Sequence, residues 1–200
     1  MNKTFKILLA LFTCLLVLSA CGKKKDANTN ETISGPKPSL SDALNTSGIS
    51  LEKYQQIKYT SQQLHGGSNY KKVVSLLGNP SQTTDTTLTN NAKAKQYTWK
   101  MGSNAQLQYI FVIVYKDKVL SKGYQQNTAA KIIKKAKIEK IAKNTSFSDV
   151  QATLGSPLSQ QEADGMSFMT YQYDNSHAYN LSFKDNKLSQ KQSVSLNTNN

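Results

Sequence analysis

Residues 70–80 and 147–157 are two versions of one segment, and this duplication constrains the fold more than any other feature of the chain. The first version reads Tyr70-Lys71-Lys72-Val73-Val74-Ser75-Leu76-Leu77-Gly78-Asn79-Pro80. The second reads Phe147-Ser148-Asp149-Val150-Gln151-Ala152-Thr153-Leu154-Gly155-Ser156-Pro157. The aromatic, valine, leucine, glycine and proline register at one offset of 77 residues. Two later matches keep the same order. Tyr97-Thr98-Trp99 aligns with Tyr171-Gln172-Tyr173, and Tyr115-Lys116-Asp117-Lys118-Val119-Leu120-Ser121 with Phe183-Lys184-Asp185-Asn186-Lys187-Leu188-Ser189. Ordered matches of this kind mark one supersecondary unit built twice.

Each copy has a local logic. Ser68 or Asn69, and Thr145 or Ser146, are suited to cap a helix whose apolar side is Tyr70, Val73, Val74 and Leu77, or Phe147, Val150 and Leu154. Gly78 and Gly155 stop that helix, with proline two residues on. Period-two stretches follow at 96–101 and 179–184, and Lys116-Asp117 and Lys184-Asp185-Asn186 are expected hairpin turns. Another helix is expected before each capped one, over 51–64 and 129–143. The second of these is lysine-rich and amphipathic, and fits an outer helix with solvated lysines better than one lying on a membrane surface. One copy thus predicts two helices and three antiparallel strands, an α+β unit. The folded copies are expected at 50–126 and 127–196, followed by a tail at 197–200.

The N-terminus carries a leader. Lys3 and Lys6 precede an apolar run from Ile7 to Leu18, too short to span a bilayer, and then Ser19, Ala20 and Cys21. Leu18-Ser19-Ala20-Cys21 resembles the lipobox of bacterial lipoproteins. That resemblance implies cleavage between Ala20 and Cys21, diacylglycerol on the Cys21 sulfur, and an extracytoplasmic protein held to the cell membrane. Residues 21–49 are poor in apolar side chains and read as a disordered tether. Some 27 flexible residues reach roughly 30 Å. Lys23, Lys24 and Lys25 sit beside the acyl chains, placed to meet anionic headgroups.

Charge and cysteine content narrow the function. The formal net charge is +13, and every basic residue is lysine. Without the planar fork of arginine, the chain has no good reader of phosphate or of guanine edges, and export also argues against nucleic acid. The lysines form either a solvated surface or one with loose attraction to anionic wall polymer. Cys14 leaves with the leader and Cys21 takes lipid, so no thiol remains for a disulfide, a metal or a nucleophile.

The duplicated aromatic-x-x-Val-x-x-x-Leu-Gly-x-Pro segments, the aromatic-x-aromatic strand and the turn-bearing hairpin resemble the β-lactamase-inhibitor-protein-like fold. They resemble in particular Gram-positive lipoproteins of unknown function that carry it. Related single-copy modules occur in a small lipoprotein of the outer-membrane β-barrel assembly machinery. The resemblance covers about residues 50–196. It implies two modules side by side in one curved antiparallel sheet, with helices on the convex face and the concave face free to bind protein. Modules of the inhibitor family normally carry disulfides, which this chain lacks.

No catalytic set emerges. His65 lies in a Gly-rich loop and His177 at a sheet position, with no cysteine or clustered carboxylate to complete a metal site. There is no G-x-S-x-G, and Ser50/Lys53 and Ser68/Lys71 lack the partners of a penicillin-binding site. Glu162 and Asp164 alone are weak support for a glycosidase pair. No enzyme class, cofactor or metal is indicated. The strand at 109–115 is apolar on both sides. Tyr109, Phe111, Ile113 and Tyr115 form one side, and Ile110, Val112 and Val114 the other. Aligned with Ala178, Asn180 and Ser182, the second side is either covered by the linker, the N-terminal helix or the neighbouring copy, or is a candidate partner-binding patch flanked by Lys100 and Lys122. Trp99, Tyr97 and Tyr171 are expected under the helices. The expected function is a non-enzymatic, lipid-anchored module that binds an envelope protein. The alternatives are an inhibitor that inserts a Thr- and Asn-rich loop over 81–94 into an enzyme's cleft, and adhesion to anionic polymer.

Overall fold

The computed structural model describes residues 48–128 and 131–196. The first helices are α1 (Leu51–Gln55) and α2 (Tyr70–Leu77). Four strands follow: β1 (Gln82–Thr87), β2 (Lys93–Lys100), β3 (Leu107–Tyr115) and β4 (Lys118–Gln126). The pattern then recurs as α3 (Lys135–Glu139), α4 (Phe147–Leu154), β5 (Ser159–Ala163), β6 (Met166–Gln172), β7 (His177–Lys184) and β8 (Lys187–Ser195). All eight strands join one antiparallel sheet in the order β1 to β8, so the fold is α+β.

The duplicated segment forms α2 and α4. The Asn69 side chain accepts a bond from the Lys72 amide at 2.8 Å, and Ser146 from the Asp149 amide at 3.1 Å. Each satisfies an amide that the first helical turn leaves open. Gly78 and Gly155 end the helices at φ +76° and +84°, a region that disfavours any Cβ. Their carbonyls are then claimed from the sheet. Trp99 Nε1 donates to Gly78 O at 3.0 Å, and the Tyr171 hydroxyl donates to Gly155 O at 2.8 Å.

The structure departs from the sequence expectations in three ways. The first is helix length: α1 and α3 are five residues each rather than most of 51–64 and 129–143. Backbone bonds to the sheet pull the flanking residues out of helix. Thr60 N donates to Val119 O and Asn144 N to Leu188 O, while Ile133 N donates to Gln172 O. The second is strand number: each half has four strands, because 82–87 and 159–163 pair with β2 and β6. The expected loop over 81–94 is therefore a hairpin, with a turn at 88–92. The third is register. Both β3–β4 and β7–β8 close through two-residue turns with both φ positive, at Lys116-Asp117 and Asp185-Asn186. Tyr115 thus corresponds to Lys184, and Val114 to Phe183. The Lys-Asp pairs that aligned in the sequence sit one residue apart in space, and a one-residue slip exchanges the faces of a strand.

Two cores lie under the helices. Tyr54, Ile57, Val73 and Leu77 pack on Trp99, Ile110, Val112 and Val119. Ile138, Val150 and Leu154 pack on Met169, Tyr171, Leu181 and Phe183. Val112, Lys122, Glu162, Ser167 and Phe183 form one row across six strands, β2 to β7, that begins at Tyr97, so both cores and all four helices share one face of the sheet.

Candidate functional site

The register correction decides which side of the sheet has no helix among the described residues. Ile110, Val112 and Val114 lie in the core beneath the helices and are not an accessible patch. Lys122 joins them: its side chain is 7% exposed, and its Nζ stands 4.4 Å from the centre of the Tyr54 ring and 3.3 Å from Glu162 Oε1. Lys100 alone of that set is exposed, at the end of β2. Trp99, Tyr97 and Tyr171 do lie on the helix side. Ala20 and Cys21 lie outside the described residues.

The opposite side carries Tyr109, Phe111, Ile113 and Tyr115, clustered with Leu88 and Ala94. No helical residue takes part in this cluster. Phe111 lies across Gly123: a Cβ there would come within 2.4 Å of the ring. Only glycine lets the phenyl ring rest on the neighbouring strand. Continuing across the row, Gln161, Phe168, Ser182 and Gln190 follow Gly123. A parallel row runs Tyr109, Gln125, Ser159, Thr170, Asn180 and Gln192. This face is built from aromatic, amide and hydroxyl side chains, with Lys100 opposite Tyr109, Lys118 opposite Tyr115 and Lys184 opposite Lys187, and with no carboxylate among its described strand residues. The signal missed in the sequence was the absence of carboxylates from these alternate positions.

On the helix side, the junction between the halves holds a polar cleft of about 250 Å³, flanked by Leu51, Tyr54, Phe147 and Gln151. Lys122 and Glu162 lie at its base, one from β4 and one from β5. Glu162 also accepts from the Tyr54 hydroxyl at 3.2 Å and from Gln160 Nε2 at 3.0 Å. Burial lowers the Lys122 ammonium's proton affinity, and the Glu162 charge opposes that effect. Burial first, and then Glu162, push the Tyr54 hydroxyl well above the usual phenol range. This cluster joins the halves.

The histidines are far less constrained. His65 supplies a backbone carbonyl to Thr60 Oγ1 at 2.6 Å. His177 Nδ1 meets Asp174 at 2.9 Å, and its ring stacks on Tyr173. Among the described residues, no group of three His, Cys, Asp or Glu side chains could hold a metal ion. No described helix is long and apolar enough to cross a membrane.

A family described as a domain of unknown function with a solved structure, DUF3862, matches residues 49–196. The chain belongs to this family. No curated protein matches it. Among solved structures it is similar to a proposed β-lactamase inhibitor protein from Streptococcus mutans, at 19% identity and a TM-score of 0.57. That match covers 76% of this chain and 96% of the other. At this identity the likeness establishes the inhibitor-like fold of this DUF3862 chain and no more.

Proposed function

We propose that this DUF3862 protein is a non-enzymatic binding module built from two tandem copies, 50–126 and 127–196. Diacylglycerol on Cys21 anchors it to the extracytoplasmic side of a cell membrane, and its bare sheet face grips an envelope protein. The tether at 21–49 gives that face its reach. The supporting observation is the face itself: eight strands wide, without helical cover in the described residues, and carrying tyrosines among amides and hydroxyls. Tyrosine offers rigid contact area at small entropic cost, and short polar side chains offer adaptable hydrogen bonds, as in antibody paratopes.

The test is a photoreactive side chain introduced in living cells, at Ser182 on the bare face or at Ser148 on the exposed side of α4. The expected result is one saturable protein adduct from position 182 and none from 148. Adducts from 148 alone, or from neither position, overturn the reading. The anchor is tested separately. Cys21→Ser should leave a chain of precursor size, and normal processing of that variant would refute the lipobox.

A second reading is inhibition of a secreted or membrane-bound enzyme, favoured by the Streptococcus mutans structure. It requires that the purified protein slow hydrolysis by a β-lactamase at stoichiometric ratios. Adhesion to anionic wall polymer would instead show as wall association lost in moderate salt, with the acyl anchor absent.

A further inference from the structure

Among the described residues, the chain makes one junction between its halves and leaves the strands that could repeat that junction, β1 and β8, as the two edges of the sheet. Internally, β4 pairs with β5 in the register Ser121–Ala163, Lys122–Glu162, Gly123–Gln161, Tyr124–Gln160 and Gln125–Ser159. The hairpin registers make β8 the counterpart of β4. Val114 faces Val119 as Phe183 faces Leu188, and Ile113 faces Ser121 as Ser182 faces Gln190. Lys191 therefore stands where Lys122 does. Likewise β1 is the counterpart of β5, because Thr98 faces Gln82 as Thr170 faces Ser159. Asp85 therefore stands where Glu162 does. The base and the acid of the internal junction both recur at the free edges.

We infer that β8 of one molecule pairs antiparallel with β1 of a second copy, with Lys191 opposite Asp85 as Lys122 is opposite Glu162. This rests on the two-copy reading of the fold. The contact is head-to-tail, so it leaves a free β1 and a free β8 at the ends of every assembly and can extend beyond a dimer. Both edges are accessible: Thr83, Thr84 and Asp85 are exposed on β1, and Gln190, Gln192 and Ser193 on β8. Neither carries a proline, and the one charge in the middle of each, Asp85 on β1 and Lys191 on β8, is of opposite sign. Lys191 is turned onto the end of α3, donating to Glu139 O at 2.6 Å and Ile141 O at 2.9 Å. Asp85 meets Lys95 at 3.0 Å, with its side chain 82% exposed, and is free to exchange that partner. A second copy supplies the carboxylate that the edge position of β8 denies to Lys191.

The test uses the full chain with Thr84→Cys and Gln192→Cys together, the positions equivalent to Gln161 and Gly123. Within one molecule these sites lie at opposite edges of eight strands, roughly 30 Å apart, so they cannot close on each other. Under mild oxidation at physiological ionic strength, a ladder of dimer, trimer and higher bands is expected on a non-reducing gel. Neither single variant nor the parent chain, whose Cys14 and Cys21 set the background, should give it. Adding Asp85→Lys should abolish the ladder. A second pair, Thr86→Cys with Gln190→Cys, reports the same register. If both pairs give no more than the single variants, or the single variants alone give the dimers, the pairing is overturned. If such chains keep the parent's thermal midpoint, the two-copy reading of the fold survives that failure.

Discussion

Lys122 and Glu162 show what one position can do in two settings. The equivalent lysine of the second half, Lys191, lies on an edge strand and spends its ammonium on the carbonyls at the end of α3. Lys122 has a neighbouring strand, and that strand brings it a carboxylate. Removing one partner strands the other in a mostly buried site, which costs about 3–5 kcal/mol. Lys122→Met should therefore destabilise the protein by about 3 kcal/mol, toward the low end because Glu162 retains 17% exposure. Lys122→Met with Glu162→Leu should recover most of that loss, as measured by urea unfolding. High pH probes the same neighbourhood. Burial raises Tyr54, Tyr124 and Tyr171 above the ordinary phenol value of 10.0. The unfolded chain then loses these protons first, so stability falls as pH rises past 10, by about 1.4 kcal/mol per tyrosine at pH 11. Lys122, lowered by burial, acts in the opposite direction below 10.5, but it is one group against three. The urea midpoint should drop between pH 9 and pH 11, and Tyr171→Phe should make the drop shallower.

At the scale of elements, α2 and α4 were legible because cap, apolar spacing and terminal glycine all agreed. Asn69→Ala and Ser146→Ala should each cost about 1 kcal/mol by denaturant titration, and the double variant should cost their sum because the sites share no partner. β3 was equally plain from its aromatic and branched residues. β1 and β5 were not. Gln82-Thr83-Thr84-Asp85-Thr86-Thr87 has no apolar alternation, and threonine's preference for strands was its one positive sign. α1 and α3 were overestimated because helical spacing continues past the point where backbone bonds to the sheet take over. The register of β7 against β3 was misread for a subtler reason. Lys116-Asp117 and Lys184-Asp185 look alike, yet the positive-φ pair of the second hairpin is Asp185-Asn186. Turn geometry fixed the register, and the repeated dipeptide misled.

For the whole molecule, the slip mattered more than its size suggests. It placed Ile110, Val112 and Val114 on the binding side, and the structure puts them under the helices, with Tyr109 and Phe111 on the other side. A sheet face without helices was implied by the resemblance to the inhibitor-like fold, but not which residues line it. Among the described residues, one broad sheet is dressed by helices on one side; the proposed partner takes the other side and the proposed further copies its two edges. The most direct measurement of this division is the urea midpoint of Val112→Lys beside that of Ser182→Lys. Val112 is fully buried between Tyr97 and Lys122, so a third charge there should cost more than about 4 kcal/mol or unfold the protein. Ser182→Lys should stay within about 0.5 kcal/mol of the parent. A Val112→Lys protein with the parent's midpoint, beside a collapsed Ser182→Lys, would show that the helices cover the other face.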